Sequence, residues 1–122
     1  MLDLSSDKSI YIQIAESIEN DILRGNLKEE DQAPSTNQFA KVYQINPATA
    51  GKGLSLLVEE GVLYKKRGLG MFVAKGAKRK ILGKRQKTFF TEILPEIMAE
   101  AERLEIPTDG LIKFFKDYKG GK

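Results

Sequence analysis

The side chains able to do chemistry in this sequence are hydroxyls, amides, carboxylates and cations, because His and Cys are both missing. Without them the usual zinc sites and the Ser–His or Cys–His nucleophile arrangements cannot be built. No residue stands out as catalytic or as a metal ligand, and no cofactor is implied. The densest acidic cluster, Glu29-Glu30-Asp31, falls in a polar connector and reads as solvated charge. What the remaining residues are patterned to do is bind. In Asn46-Pro47-Ala48-Thr49-Ala50-Gly51-Lys52, Asn46 is suited to an N-cap and Pro47 to the first helical position. Thr49, Lys52 and Ser55 then share a face of short or basic, hydrogen-bonding side chains. A capped helix with so small a first turn is one that a DNA major groove can admit. Further on, Lys65-Lys66-Arg67-Gly68-Leu69-Gly70 sets cations beside glycines, where charge and backbone can approach phosphates or a minor groove closely.

Elements must position these groups. Ile10, Ile14, Ile18 and Ile22 recur at four-residue steps, which predicts an amphipathic helix over about 9–23 ended by Gly25-Asn26. Ser35 followed three residues later by Gln38 is a capping-box pattern, so a two-turn helix is expected from Thr36 to Tyr43. Three residues then lead to Asn46, and Ala50, Leu54, Leu57 and Val58 give the next helix its buried face before Gly61. Two short helices joined by a tight turn make a helix-turn-helix, with the second as recognition helix. Val62–Lys66 and Met71–Ala74 read as strands around the glycine turn, a hairpin in the place of a wing. The fold class is therefore mainly α (α+β): a winged helix-turn-helix over residues 1–75, a basic connector over 76–87 with Gly76 and Gly83 as weak points, and a helical segment over 88–122.

The 122 residues carry a net charge of only +3, with 41% hydrophobic and 30% charged residues, as in a soluble globular chain. The charge is uneven. Residues 1–31 sum to −5, 32–75 to +4, 76–87 to +6 and 88–122 to −2. Cations concentrated mid-chain are what a nucleic-acid footprint requires. No run approaches the roughly 20 apolar residues of a membrane span, and Met1–Asp7 lacks signal-peptide features, so a cytoplasmic location is expected. In the last segment Phe90, Leu94, Ile97, Ala101 and Leu104 step as a heptad seam, interrupted by Pro95, which either kinks one helix or begins another. Thr108 can cap a last helix carrying Leu111, Phe114, Phe115 and Tyr118, and the tail 119–122 is expected to fray. So many aromatics in a short segment call for a partner surface. A second copy of the chain, with Phe90, Leu94, Ile97, Ala101, Leu104 and Phe115 as dimer contacts, is favoured over packing back on the chain's own winged domain.

In this order the motifs resemble the GntR family of bacterial transcriptional regulators. The pieces are Ile10-Tyr11-Ile12-Gln13-Ile14-Ala15, Ile22-Leu23-Arg24-Gly25-Asn26-Leu27, Pro34-Ser35, Asn46-Pro47-Ala48-Thr49, Glu59-Glu60-Gly61-Val62-Leu63-Tyr64 and Gly68-Leu69-Gly70-Met71-Phe72-Val73. The short tail is similar to that of the YtrA-like subfamily. The resemblance implies a homodimer on double-stranded operator DNA, expected to repress, and leaves room for an unidentified small-molecule effector. It also implies Ser35, Asn37, Pro47, Ala48, Thr49, Lys52, Lys66, Arg67, Gly68 and Gly70 as DNA-binding positions. Two departures stand out. Asn37 replaces the family's usual Arg and cannot make a two-pronged contact to guanine. Gly51 and Gly53 each cost a helix interior about 0.5–1 kcal/mol against Ala, and allow close approach either to a neighbouring helix or to DNA. The competing reading is a winged helix used to bind protein or RNA.

Overall fold

The isoleucine ladder forms α1 (Ile10–Arg24), with Ile14, Ile18 and Ile22 buried and Gly25 closing the helix at φ +85. That left-handed residue donates its N–H to the Asp21 and Ile22 carbonyls, satisfying acceptors the helix end would otherwise leave open. The computed structural model describes residues 8–119, so Met1–Asp7 and the tail 120–122 lie outside the described residues. Next come α2 (Thr36–Tyr43) and α3 (Pro47–Glu59). The capping box of α2 is formed in both directions. Ser35 Oγ accepts from the Gln38 N–H at 3.0 Å, and the Gln38 side chain accepts from the Ser35 N–H at 2.9 Å. Asn46 caps α3 by accepting the Ala48 N–H at 2.8 Å, with Pro47 in the first turn. Ala50, Leu54 and Leu57 are fully buried and Val58 half-buried, packing onto Ile14, Ile18 and Phe39 in one core.

The hairpin is β1 (Leu63–Lys66) antiparallel to β2 (Gly70–Val73), with Leu63 opposite Val73 and Lys66 opposite Gly70. A third edge was not foreseen. The segment from Glu30 to Ala33 runs along β2: the Glu30 N–H donates to the Val73 carbonyl, the Val73 N–H to Asp31, and the Ala33 N–H to Met71. The acidic cluster is exposed, as solvated charge would be, but it is also hydrogen-bonded to the rest of the fold. The Tyr64 hydroxyl donates to Glu30, the Glu29 carboxylate accepts the Gly76 N–H at 2.7 Å, and Asp31 accepts the Lys28 N–H at 2.8 Å. Glu30 holds φ +71, a left-handed conformation that a non-glycine residue seldom adopts.

The basic stretch read as a connector is helical. It forms most of α4 (Ala77–Thr88), whose Ala77 and Ile81 are buried in the core just described. Glu29, brought from before α2, supplies a carboxylate at its N-terminus, where charge and acceptor both suit the free N–H groups. Lys80 reaches back to the Gly61 carbonyl at 3.2 Å. The chain divides into two compact units, residues 1–83 and 84–122, with the division inside α4.

In the second unit Pro95 falls in the first turn of a further helix, the second of the two places expected for it. It is the second residue of α5 (Leu94–Arg103), and a π-helical turn, Phe89–Ile93, precedes it directly after α4. Proline has no N–H and crowds the carbonyl a turn earlier. A widened turn accommodates this, with the Leu94 N–H reaching Phe89 and the Thr91 hydroxyl donating to the Lys87 carbonyl at 2.9 Å. Helix α6 (Thr108–Asp117) has Pro107 at its N-cap, so Thr108 is its first residue and not its cap. Among the described residues no helix is long and apolar enough to cross a membrane, and no group of three or more acidic side chains is placed to hold a metal ion.

Candidate nucleic-acid interface

The expected DNA-binding positions all lie in the first unit, at the starts of α2 and α3 and at the turn between β1 and β2. Ser35, Asn37, Pro47, Ala48, Lys52, Lys66, Arg67 and Gly68 are exposed, whereas Thr49 and Gly70 are half-buried. Helices α2 and α3 meet near their N-termini, where Thr36 stands 3.6 Å from the place a Cβ on Gly51 would take. Ser35 uses its hydroxyl oxygen as an acceptor in the cap and keeps its proton to donate. Both helix N-termini carry partial positive charge, which suits phosphate oxygens, although in α3 Pro47 has no N–H and those of Ala48, Thr49 and Ala50 are taken by Asn46.

The glycines of α3 separate cleanly. A Cβ on Gly53 would lie 2.8 Å from both Ile14 Cγ2 and the Tyr11 carbonyl, so this glycine exists for the crossing of α3 over α1. Gly51 meets nothing closer than ordinary van der Waals contact. Between them, Lys52 places its ammonium 4.1 Å from the centre of the Tyr11 ring. Sequence reading missed this contact, which holds the lysine over α1 by cation–π attraction. An aromatic one helical turn before the first core isoleucine was its only signal.

At the hairpin, Leu69 donates its N–H to the Lys66 carbonyl at 2.9 Å, and Gly68 sits at φ +78, the conformation that the third position of a type II turn requires. Lys66 lies with its ammonium 4.5 Å from the Phe72 ring centre, and Tyr64 pairs across the strands with Phe72. The hydrogen bond to the Glu30 carboxylate raises the Tyr64 phenol above its usual 10.0, reinforced by desolvation and by that neighbour's negative charge. Gln32, three residues before Ser35, donates to the Leu69 carbonyl at 2.7 Å, linking the approach to α2 directly to the turn.

The second unit holds the expected dimer contacts. Ala101 is buried and Leu94 half-buried, but Phe90, Ile97, Leu104 and Phe115 are exposed, Phe90 by 66%. Phe89 with Phe90, and Phe114 with Phe115 and Tyr118, form edge-on or tilted ring contacts at 5.5–6.2 Å.

Helix, helix-turn-helix and a two-stranded hairpin braced by a third edge define a winged helix-turn-helix protein. Residues 10–73 match the family model for bacterial regulatory proteins of the gntR family. The chain is 29% identical over 125 residues to the HTH-type transcriptional repressor YtrA of Bacillus subtilis (strain 168), covering 99% of this chain and 95% of that protein. A GntR-family transcriptional regulator structure from Bacteroides thetaiotaomicron shares 34% identity at a TM-score of 0.76, over 89% of this chain and 95% of its own. The structure of AraR(DBD) in complex with operator ORR3 is similar at 29% identity and a TM-score of 0.52, over 61% of this chain and 92% of its own. The chain belongs to the GntR family, of the short YtrA-like kind, whose members are transcriptional regulators with a DNA-binding winged helix and not enzymes.

Proposed function

We propose that the chain represses transcription in the cytoplasm as a homodimer on a two-fold operator, with α3 in the major groove and the β1–β2 turn in the minor groove. The observation that carries this reading is the linked geometry of the first unit. The capped starts of α2 and α3 adjoin each other, and Gln32 ties the same stretch of chain to a cationic, glycine-flanked turn. Ser35, Asn37, Pro47, Ala48, Thr49 and Lys52 then face base edges and backbone, and Lys66, Arg67, Gly68 and Gly70 the minor groove and phosphates. Two-fold symmetry matches the exposed aromatic and aliphatic surface of residues 88–122, too large to leave in water on a monomer. Repression is supported by the name of the whole-length relative from Bacillus subtilis, and DNA binding by the operator complex of AraR(DBD).

The +10 carried by residues 32–87 makes affinity depend on salt. Gel-shift titration against the region upstream of the chain's own gene should give a log–log salt slope of at least about −5 in magnitude for a dimer. A slope near zero, or equal affinity for random duplex, would overturn the reading. For a small-molecule effector, an open cleft of about 690 Å³ lined by Ile18, Asp21, Leu27, Gln38, Phe39 and Tyr43 is of suitable size.

A further inference from the structure

Gln32 belongs to no motif, yet it reaches 37 residues along the chain to hold the hairpin turn. Its Nε2 donates to the Leu69 carbonyl, while the Leu69 N–H is taken by Lys66. Both backbone polar groups of Leu69 are engaged, and its side chain stands 65% exposed between Gly68 and Gly70. Gly70 makes the approach feasible. It holds φ +116, and a Cβ there would come within 2.8 Å of Gln32 Nε2. A two-stranded ribbon without such a brace is only marginally ordered at its tip.

We infer that Gln32 is a positioning residue for DNA binding, and that what it presents is Leu69, an apolar contact for the minor groove. The inference rests on the wing reading above and adds to it. The Leu69 side chain has no donor or acceptor, so it reads no base edge. It selects for groove width and for steps that unstack readily, as apolar wedges at minor grooves do. The neighbouring cations Lys66 and Arg67 meet phosphates, while Gln32 keeps the leucine from folding away.

The test is a double-mutant cycle on the full chain. Gln32→Met removes the donor at similar length, Leu69→Ala removes the contact, and both are combined. Binding to the upstream duplex is measured by fluorescence anisotropy. Each single variant should weaken binding about three- to tenfold, and the double variant no more than the worse single, because the two act through one contact. Losses that multiply, or full affinity in Gln32→Met, would overturn the inference. Backbone 15N relaxation of the free protein gives a second reading: the Gly68, Leu69 and Gly70 amides should gain fast motion in Gln32→Met and nowhere else. Unchanged tip amides would also overturn it. If the wild-type chain binds no upstream duplex, the DNA-binding proposal fails and takes the role of Leu69 with it, while the relaxation data still decide whether Gln32 holds the turn.

Discussion

Gly53→Ala should destabilise the fold, and Gly51→Ala, two residues away in the same helix, should stabilise it. Each substitution gains about 0.5–1 kcal/mol of helix propensity. At Gly51 nothing opposes the gain, since the nearest atom, Thr36 Cγ2, is 3.6 Å from the new methyl. At Gly53 the methyl would stand 2.8 Å from a backbone carbonyl and from Ile14, whose side chain is fully buried and cannot swing aside. Overpacking of that kind costs about 1–3 kcal/mol, leaving Gly53→Ala less stable by up to about 2.5 kcal/mol and separated from Gly51→Ala by about 1–3 kcal/mol, since the propensity gain is common to both. Urea denaturation followed by circular dichroism would measure both, at one protein concentration because association shifts apparent stability. Operator affinity should fall in Gly53→Ala as well, because relief of the clash moves α3, and with it Lys52, away from Tyr11. A Gly53→Ala variant as stable as Gly51→Ala would refute the argument, since α1 and α3 would then have slack between them.

Lys66→Ala or Arg67→Ala should weaken binding to all duplexes alike and reduce the salt slope by about 2 in a dimer, one phosphate per half-site, whereas Thr49 and Lys52 variants should change base preference. Selection of preferred sequences for each variant checks the division, and it fails if the two groups exchange effects. Tyr64 should titrate above 10.0, and Glu30→Ala should return it toward that value, as followed by 13C NMR of the phenol carbon. Because the folded-state value is raised, this contact stabilises fully below the unfolded phenol's value and is lost as pH climbs through the folded one. A Tyr64 titration that Glu30→Ala leaves unchanged would contradict this cause. Phe115→Glu should shift the chain toward monomer in sedimentation equilibrium, since a carboxylate cannot enter an apolar contact unpaired, and an unchanged mass would remove Phe115 from the proposed interface.

What was legible in the sequence was local. The isoleucine ladder, the Ser35–Gln38 box and the Asn46-Pro47 start each encode their structure within four or five residues, and α1, α2 and α3 appear with those caps. Contacts that join distant residues left no such trace. Glu29 and Glu30 look like any polar loop until the fold brings Gly76 and Tyr64 to them. The stretch 76–87 reads as a connector because its cations hide the two residues, Ala77 and Ile81, that tie α4 to the core. The π-helical turn before Pro95 was equally hidden, as it depends on which carbonyl finds a substitute donor. For the candidate interface, the two helix starts and the cationic turn were readable from capping and glycine pattern, whereas the individual positions followed from the family resemblance. The supports of those residues, Tyr11 beneath Lys52 and Gln32 beneath Leu69, were not, because each comes from a different element.

The brace from Glu29 to Gly76 bears on how such regulators can be cut and recombined. A fragment ending at residue 75 would keep every candidate DNA-binding residue but would leave the Glu29 carboxylate without the N–H it caps. It would also leave a hole where Ala77 and Ile81, both fully buried, close the core. Losing a buried isoleucine of this kind alone costs about 2–5 kcal/mol, a large part of what a domain of this size has. A chimera that joins this winged helix to a foreign effector or dimer module should therefore cross over after residue 83, where the first unit ends, and carry the opening turns of α4 with the DNA-binding half.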